Sequence, residues 1–363
     1  MERKKRRLHK AGFRCLQKDD FFSLLLLQHI TIMLSKKIPF HIAILMTAAG
    51  IIGTFLTVSW ISKKPDVPVS DNSILQCNFN SVRLNGYEYI RPLLYAEKNC
   101  ESENLVSVKS QVESLVNSYK LSGAISEASV YIRRLNQGEW ISTGENVKYN
   151  PGSLLKIPEL ITFMKMNERS PGLLDKKISY AKALNLPKQV IYLSKSIEVG
   201  KTYSVRELLY YMIAYSDNNA TWLLNNIMDA TVFKKVFTDL GIDNPDLTQK
   251  DIPITAKEFS LFMRVLYNSS YLNIDDSEYC TELLSHSDFN KGMISGLPKE
   301  VKVAHKFGEA GDGVNAHFNE SGIIYVNKSP YLLTVMTKGK DYKLLPSVIA
   351  DISQKVYQGI SQL

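Results

Sequence analysis

The chain reads as an α+β protein carried behind one apolar helix, and three features of its 363 residues predict this. The run Ile38–Ile61 holds 24 residues without Asp, Glu, Lys or Arg. Segments 128–143, 317–326 and 331–336 read as strands, the first of them as a hairpin. Helical periodicities at 103–121 and 345–363 bracket those strands. At 45% hydrophobic and 22% charged, the composition is that of an ordinary globular chain with room for one large or two small domains.

Charge is concentrated at one end. Residues 1–37 carry ten Lys/Arg against Glu2, Asp19 and Asp20, while the remainder holds 34 basic and 33 acidic residues. So balanced a body has no electrostatic footprint for nucleic acid, and none is expected as a partner. The basic tail fits a membrane better. A helix over Ile38–Ile61 would reach about 36 Å, against about 30 Å for a hydrocarbon core. Lys36-Lys37 and Lys63-Lys64 bound it, and the positive-inside rule puts the tail in the cytoplasm. No small-x-small cleavage site follows Ile61, so a retained single-pass anchor is expected over a cleaved signal peptide. Everything after Lys64 would then lie outside the cell membrane. Phe21–Leu27 is too short to span. Met33 is a second candidate start, which would remove most of the tail.

Residues 62–104 are expected to form a linker, with Pro65, Pro68 and Ser70–Ser73, and then a small membrane-proximal segment. Cys77 and Cys100 flank that segment, and spacing leaves open whether they are bridged. Cys280 is expected in the core. No C-x-x-C, H-E-x-x-H or other ligand spacing occurs, so neither metal nor cofactor is expected. The main domain, 105–363, opens on a helix with Leu105, Val108, Val112, Leu115 and Val116 on one face. Strands 128–135 and 140–143 follow about the turn Asn136–Glu139, and Tyr149-Asn150-Pro151-Gly152 then delivers the chain to Ser153. Ser204-Val205-Arg206-Glu207 opens a helix, and another begins at Ala220. The last element shows Val348, Ile349, Ile352 and Val356 at helical spacing.

Three short motifs carry the chemistry: Ser153-Leu154-Leu155-Lys156, Ser216-Asp217-Asn218 and Lys306-Phe307-Gly308. Alone, an S-x-x-K arises about once or twice by chance in a chain this long. Together, separated by 63 and 90 residues, the three resemble the S-x-x-K, S-D-N and K-T-G signature of class A β-lactamases and penicillin-binding proteins. The resemblance extends over roughly residues 105–363, through the hairpin before Ser153, the helices around Ser216 and the two strands after Lys306. It implies an antiparallel sheet flanked by the first and last helices, plus an all-helical lobe.

It also implies roles. Ser153 would be the nucleophile, and Lys156, three residues on and hence on the same helix face, its base. Ser216 would relay the proton to the leaving nitrogen, with Lys306 beside it lowering the pKa of Lys156. Asn218 would hold the substrate amide, and the N–H groups of Ser153 and Glu309 would form the oxyanion hole. Phe307, Gly308 and Glu309 would line the substrate site. Pro158 denies the Leu154 carbonyl a helical partner, so local distortion is expected beside Ser153.

Two departures matter. Phe307 stands where the motif has Thr or Ser, and Phe307 and Glu309 replace small polar residues that grip a substrate carboxylate. Class A β-lactamases also carry a water-activating glutamate between the second and third motifs. Here the short bridge 240–255 contains no Glu, only Asp243, Asp246 and Asp251. The resemblance therefore implies a serine acyl-enzyme formed with a β-lactam or a peptidoglycan stem-peptide amide, with slow deacylation. A D-Ala-D-Ala carboxypeptidase or transpeptidase, and a non-enzymatic sensor or scaffold, stay open beside it.

Overall fold

The computed structural model describes residues 39–61, 77–187, 189–249, 251–313, 315–326 and 329–363. The basic tail 1–37, with Phe21–Leu27 and Met33, and the linker 62–76 lie outside the described residues.

Phe40–Ile61 is one 22-residue helix, α1. Its described side chains, among them Ile44, Leu45, Met46, Ile51 and Ile52, are exposed. Those side chains comprise 42 and 44–54 only, and among the described residues no helix offers the 18-residue apolar window of a membrane span.

The second unit is described from Cys77 onward. It opens on an antiparallel pair, β1 (Phe79–Arg83) and β2 (Leu93–Lys98), closed at its base by a Cys77–Cys100 disulfide. The pair is fastened to the rest of the unit. Tyr95 donates to the Leu240 carbonyl at 2.9 Å, and the buried Arg264 reaches the Glu97 carboxylate and the Ala96 carbonyl, each at 2.6 Å.

After α2 (Val106–Leu121) come β3 (Glu127–Arg134) and β4 (Trp140–Thr143), the predicted hairpin. The helical lobe then holds α3 (Lys156–Arg169), α4 (Val205–Ala214), α5 (Asn218–Asn225), α6 (Ala230–Asp239), α7 (Ala256–Tyr267) and α8 (Ile274–Ser285). A short ladder, β5 (Lys177–Ser179) with β6 (Thr202–Ser204), lies within it. Strands β7 (Lys302–Ala310), β8 (Ala316–Tyr325) and β9 (Tyr331–Gly339) complete the sheet, and α9 (Leu345–Ile360) ends the fold.

The sheet is antiparallel with strand order β4-β3-β9-β8-β7. Side chains alternate across it as a pleat requires. Val130, Ile132, Leu333 and Val335 face one core with Val108, Val112 and Val116 of α2 and Ile352, Val356 and Ile360 of α9. Gly359 permits that helix pair its close approach, since a Cβ there would sit 2.7 Å from Val108 Cγ2. Tyr131, Leu332 and Met336 point the other way, into a core shared with Leu160, Phe259 and Phe262 of the lobe. Local chemistry sets the helix starts. Capping boxes Ser204/Glu207 and Thr255/Glu258 open α4 and α7, and Asp217 and Asp229 cap α5 and α6. Cys280 is a buried free thiol, as expected.

Candidate active site

The chain enters the site through a strand-like contact. Tyr149 and Ile254 exchange backbone hydrogen bonds of 2.9 and 3.0 Å, and the N–H of Asn150 donates to His317 Nδ1 at 3.1 Å. Asn319 on β8 donates to the Asn150 carbonyl at 2.8 Å. These bonds hold the turn Pro151-Gly152-Ser153 against the sheet.

Ser153 does not lie in α3 itself. Gly152–Leu155 form a 3-10 turn, and the α-helix begins at Lys156. Pro158, third in α3, has no N–H for the Leu154 carbonyl, so the preceding turn closes with tighter bonds. Lys156 N–H accordingly reaches back to the Ser153 carbonyl. The turn leaves Ser153 half-buried and Lys156 buried one step inside.

Strand β7 lies directly on this turn. A Cβ at Gly308 would overlap the Pro151 carbonyl oxygen and sit 2.7 Å from Leu154 N and 3.0 Å from Ser153 N. Gly152, at φ +56°, meets the Glu309 backbone in the same way. Glycine is therefore required on both sides of one backbone contact.

The Lys156 amine donates to the Ser216 carbonyl at 2.7 Å, the Ser216 hydroxyl at 3.2 Å and Asn218 Oδ1 at 2.8 Å. Ser216 adopts φ +52°, a left-handed conformation uncommon for a side-chain-bearing residue. Asp217 fixes that turn by accepting from Ile197 N–H at 2.9 Å, the Ser196 hydroxyl at 2.8 Å and Asn219 N–H at 3.0 Å. Lys306 is fully buried on β7 and donates to the Phe307 carbonyl at 3.1 Å.

The charges are mutually adjusted. Burial pushes the Lys156 amine below its ordinary range, and the carboxylates of Glu159, Asp217 and Glu309 pull it part of the way back. Lys306 is also pushed well down, by burial first and then by Lys156. Burial raises Glu159, while Lys156 opposes that rise.

The structure thus brings Lys156, Ser216 and Asn218 together, with Ser153 one turn before Lys156 and Gly308 against it. Phe307 and Glu309, expected to line the substrate site in place of small polar residues, both make contacts within the chain. The Phe307 ring is buried and stacks on Phe289 at 4.1 Å, with Phe318 and Tyr192 around it. The Glu309 carboxylate accepts the N–H groups of Val190 and Ile191 at 2.7 and 3.0 Å. Asn218, expected to hold a substrate amide, also donates to the Pro187 carbonyl at 2.9 Å.

Sequence reasoning missed Glu159 and Gln189. Glu159 is 8% exposed, with Oε2 buried and without a hydrogen-bond partner and Oε1 3.5 Å from Asn225. A lone acidic residue among Ile157, Leu160 and Ile161 was its available signal. Gln189, which donates to the Ser216 carbonyl at 2.8 Å, lies in a stretch with no periodic pattern to mark it. The three aspartates of 240–255 hold turns and contacts. Asp246 accepts from Thr248, Asp251 bonds Asn150, and the exposed Asp243 stands 3.6 Å from Lys148. No group of His, Cys, Asp and Glu among the described residues could hold a metal.

Solved structures share this architecture. A mutant of PBP-A, captured as the acyl-enzyme complex with penicillin G, aligns at a TM-score of 0.59 and 21% identity, over 71% of this chain and 98% of that one. A class A β-lactamase from Mycobacterium abscessus aligns at 0.60 and 19%, over 70% and 99%. A β-lactamase from Chitinophaga pinensis DSM 2588 aligns at 0.61 and 19%, over the same shares. At such identities the likeness is one of fold. No curated protein matches the sequence. A sequence profile, that of the β-lactamase enzyme family, matches residues 107–360. That span runs from α2 to α9 and takes in every element of the site, so the chain belongs to the β-lactamase enzyme family.

Proposed function

We propose that the protein is a membrane-anchored serine acyl-transferring enzyme that opens a β-lactam or a peptidoglycan-peptide amide at Ser153 and releases the product slowly. The observation that carries this reading is the buried Lys156 amine, bonded to both Ser216 and Asn218 one turn from Ser153. A serine hydroxyl is a poor nucleophile without an adjacent base. Burial favours the neutral amine, which can take the Ser153 proton as Oγ bonds to the carbonyl carbon. The N–H groups of Ser153 and Glu309 would receive the resulting oxyanion. As the tetrahedral intermediate collapses, the C–N bond breaks and the Lys156 proton passes through the Ser216 hydroxyl to the leaving nitrogen.

The test is a mass measurement on the full-length protein after exposure to benzylpenicillin. The expected result is a gain of one intact penicillin, located on the peptide that carries Ser153. An unmodified protein, or an adduct elsewhere, overturns the assignment. The missing glutamate in 240–255 favours a second reading, a sensor that keeps its adduct. Release of D-Ala from a cell-wall pentapeptide would select a peptidase instead.

Anchoring rests on α1, 22 residues without a formal charge, and on the basic residues before it. A reporter that works only after export, fused behind Leu363, is expected to be active. A cytoplasmic reporter would contradict the orientation.

A further inference from the structure

Between Ser216 and Glu309 the chain lays one of its own segments. Gln189 Nε2 donates to the Ser216 carbonyl at 2.8 Å, and the N–H groups of Val190 and Ile191 donate to Glu309 Oε2 and Oε1 at 2.7 and 3.0 Å. The site surface is thus met by a neutral peptide stretch offering three N–H donors. Glu309 follows Gly308, whose backbone touches that of Ser153, so its carboxylate belongs to the strand that would flank a reacting carbonyl. A ligand that displaces this segment must replace those donors. A carboxylate brings only acceptors and a like charge. The two motif lysines are already engaged: Lys156 is bonded to Ser216 and Asn218, and the fully buried Lys306 donates to the Phe307 carbonyl.

We infer, building on the acyl-enzyme reading above, that Glu309 makes this site select acyl donors presenting amide N–H groups beside the leaving nitrogen, and disfavour those presenting a free carboxylate there. Val190 and Ile191 show the chemistry that fits, a neutral peptide backbone.

The test uses the full-length protein and two penicillins identical except at the ring carboxyl, one the free acid and one its primary carboxamide. The carboxamide is expected to acylate faster by about tenfold or more. Glu309→Gln, which keeps the side-chain shape without the charge, is expected to bring the two rates together. A free acid that reacts as fast as the carboxamide in the wild type overturns the inference, and so does a preference that survives Glu309→Gln. Acylation by neither compound defeats the acyl-enzyme reading instead. Specificity is then read from non-covalent binding of N-acetyl-D-Ala-D-Ala as amide and as free acid. Tighter binding of the amide, lost in Glu309→Gln, supports the inference; no amide preference, or no binding, overturns it.

Discussion

Replacing Ser153 with alanine is expected to leave the protein folded and wholly unlabelled by a fluorescent penicillin, and Lys156→Met to slow labelling by about 10²–10⁴. The first change removes the only oxygen that can carry the adduct in the proposed mechanism. The second removes the base, and with it the bonds to Ser216 and Asn218. Stability is checked separately from labelling. Ser153 is half-buried, so its truncation should cost little stability. Lys156→Met removes a desolvation cost but gives up the bonds to Ser216 and Asn218, so labelling is compared only after a melting curve shows each variant folded. The pH dependence separates base from structural prop. Below its folded pKa, Lys156 is protonated and cannot accept a proton, so wild-type acylation should rise with pH through that value. Burial has lowered that pKa, while Glu159 works against the shift. Glu159→Gln should therefore move the rising limb toward acid, and Lys156→Met should flatten it. A profile in Lys156→Met that keeps the wild-type limb would assign the proton acceptor elsewhere.

Much of this was legible in the residues because it is local. The hairpin about Asn136–Glu139 and the start of α4 at Ser204 follow from turn chemistry and a capping box. The proximity of Ser153 and Lys156 follows from helical spacing, although the 3-10 turn replaces the first turn of α-helix. That replacement was half-visible in Pro158. What could not be read depends on contacts between distant segments. Phe307 looked like a damaged motif position, yet it stacks on Phe289 and meets Phe318, and only the sheet and the packing around it bring those rings together. Glu309 is bonded to residues 119 and 118 positions earlier, in a stretch without regular structure. No period in a sequence encodes such a contact. The Cys77–Cys100 bridge is of the same kind, since spacing allows it and geometry decides it.

The slow fate of the adduct follows from what surrounds the ester once it forms. Hydrolysis needs a carboxylate that can take a proton from water beside the Ser153 ester, since the Lys156 amine stays bonded to Ser216 and Asn218. The segment 240–255 contributes only aspartates, and each already has a structural partner. Thr248 engages Asp246 through hydroxyl and N–H, which holds that carboxyl below its usual range and makes it a weak base. Asp251 is tied to Asn150, and Asp243 is exposed near Lys148. Glu159 is basic enough, because burial raises its pKa. It follows Ser153 by six residues, however, and about 10 Å of rise through the 3-10 turn and the start of α3 separates their backbones. The expected result is an acylation burst of one equivalent with a chromogenic cephalosporin, then steady-state turnover slower than the burst by about 10²–10⁴, the usual worth of general-base assistance. Rapid continuous hydrolysis would refute this and require a base in the site after all. Asp243, Asp246 and Asp251 would then be replaced one at a time by Asn. The one whose loss restores the burst while leaving acylation unchanged would be the group that activates water.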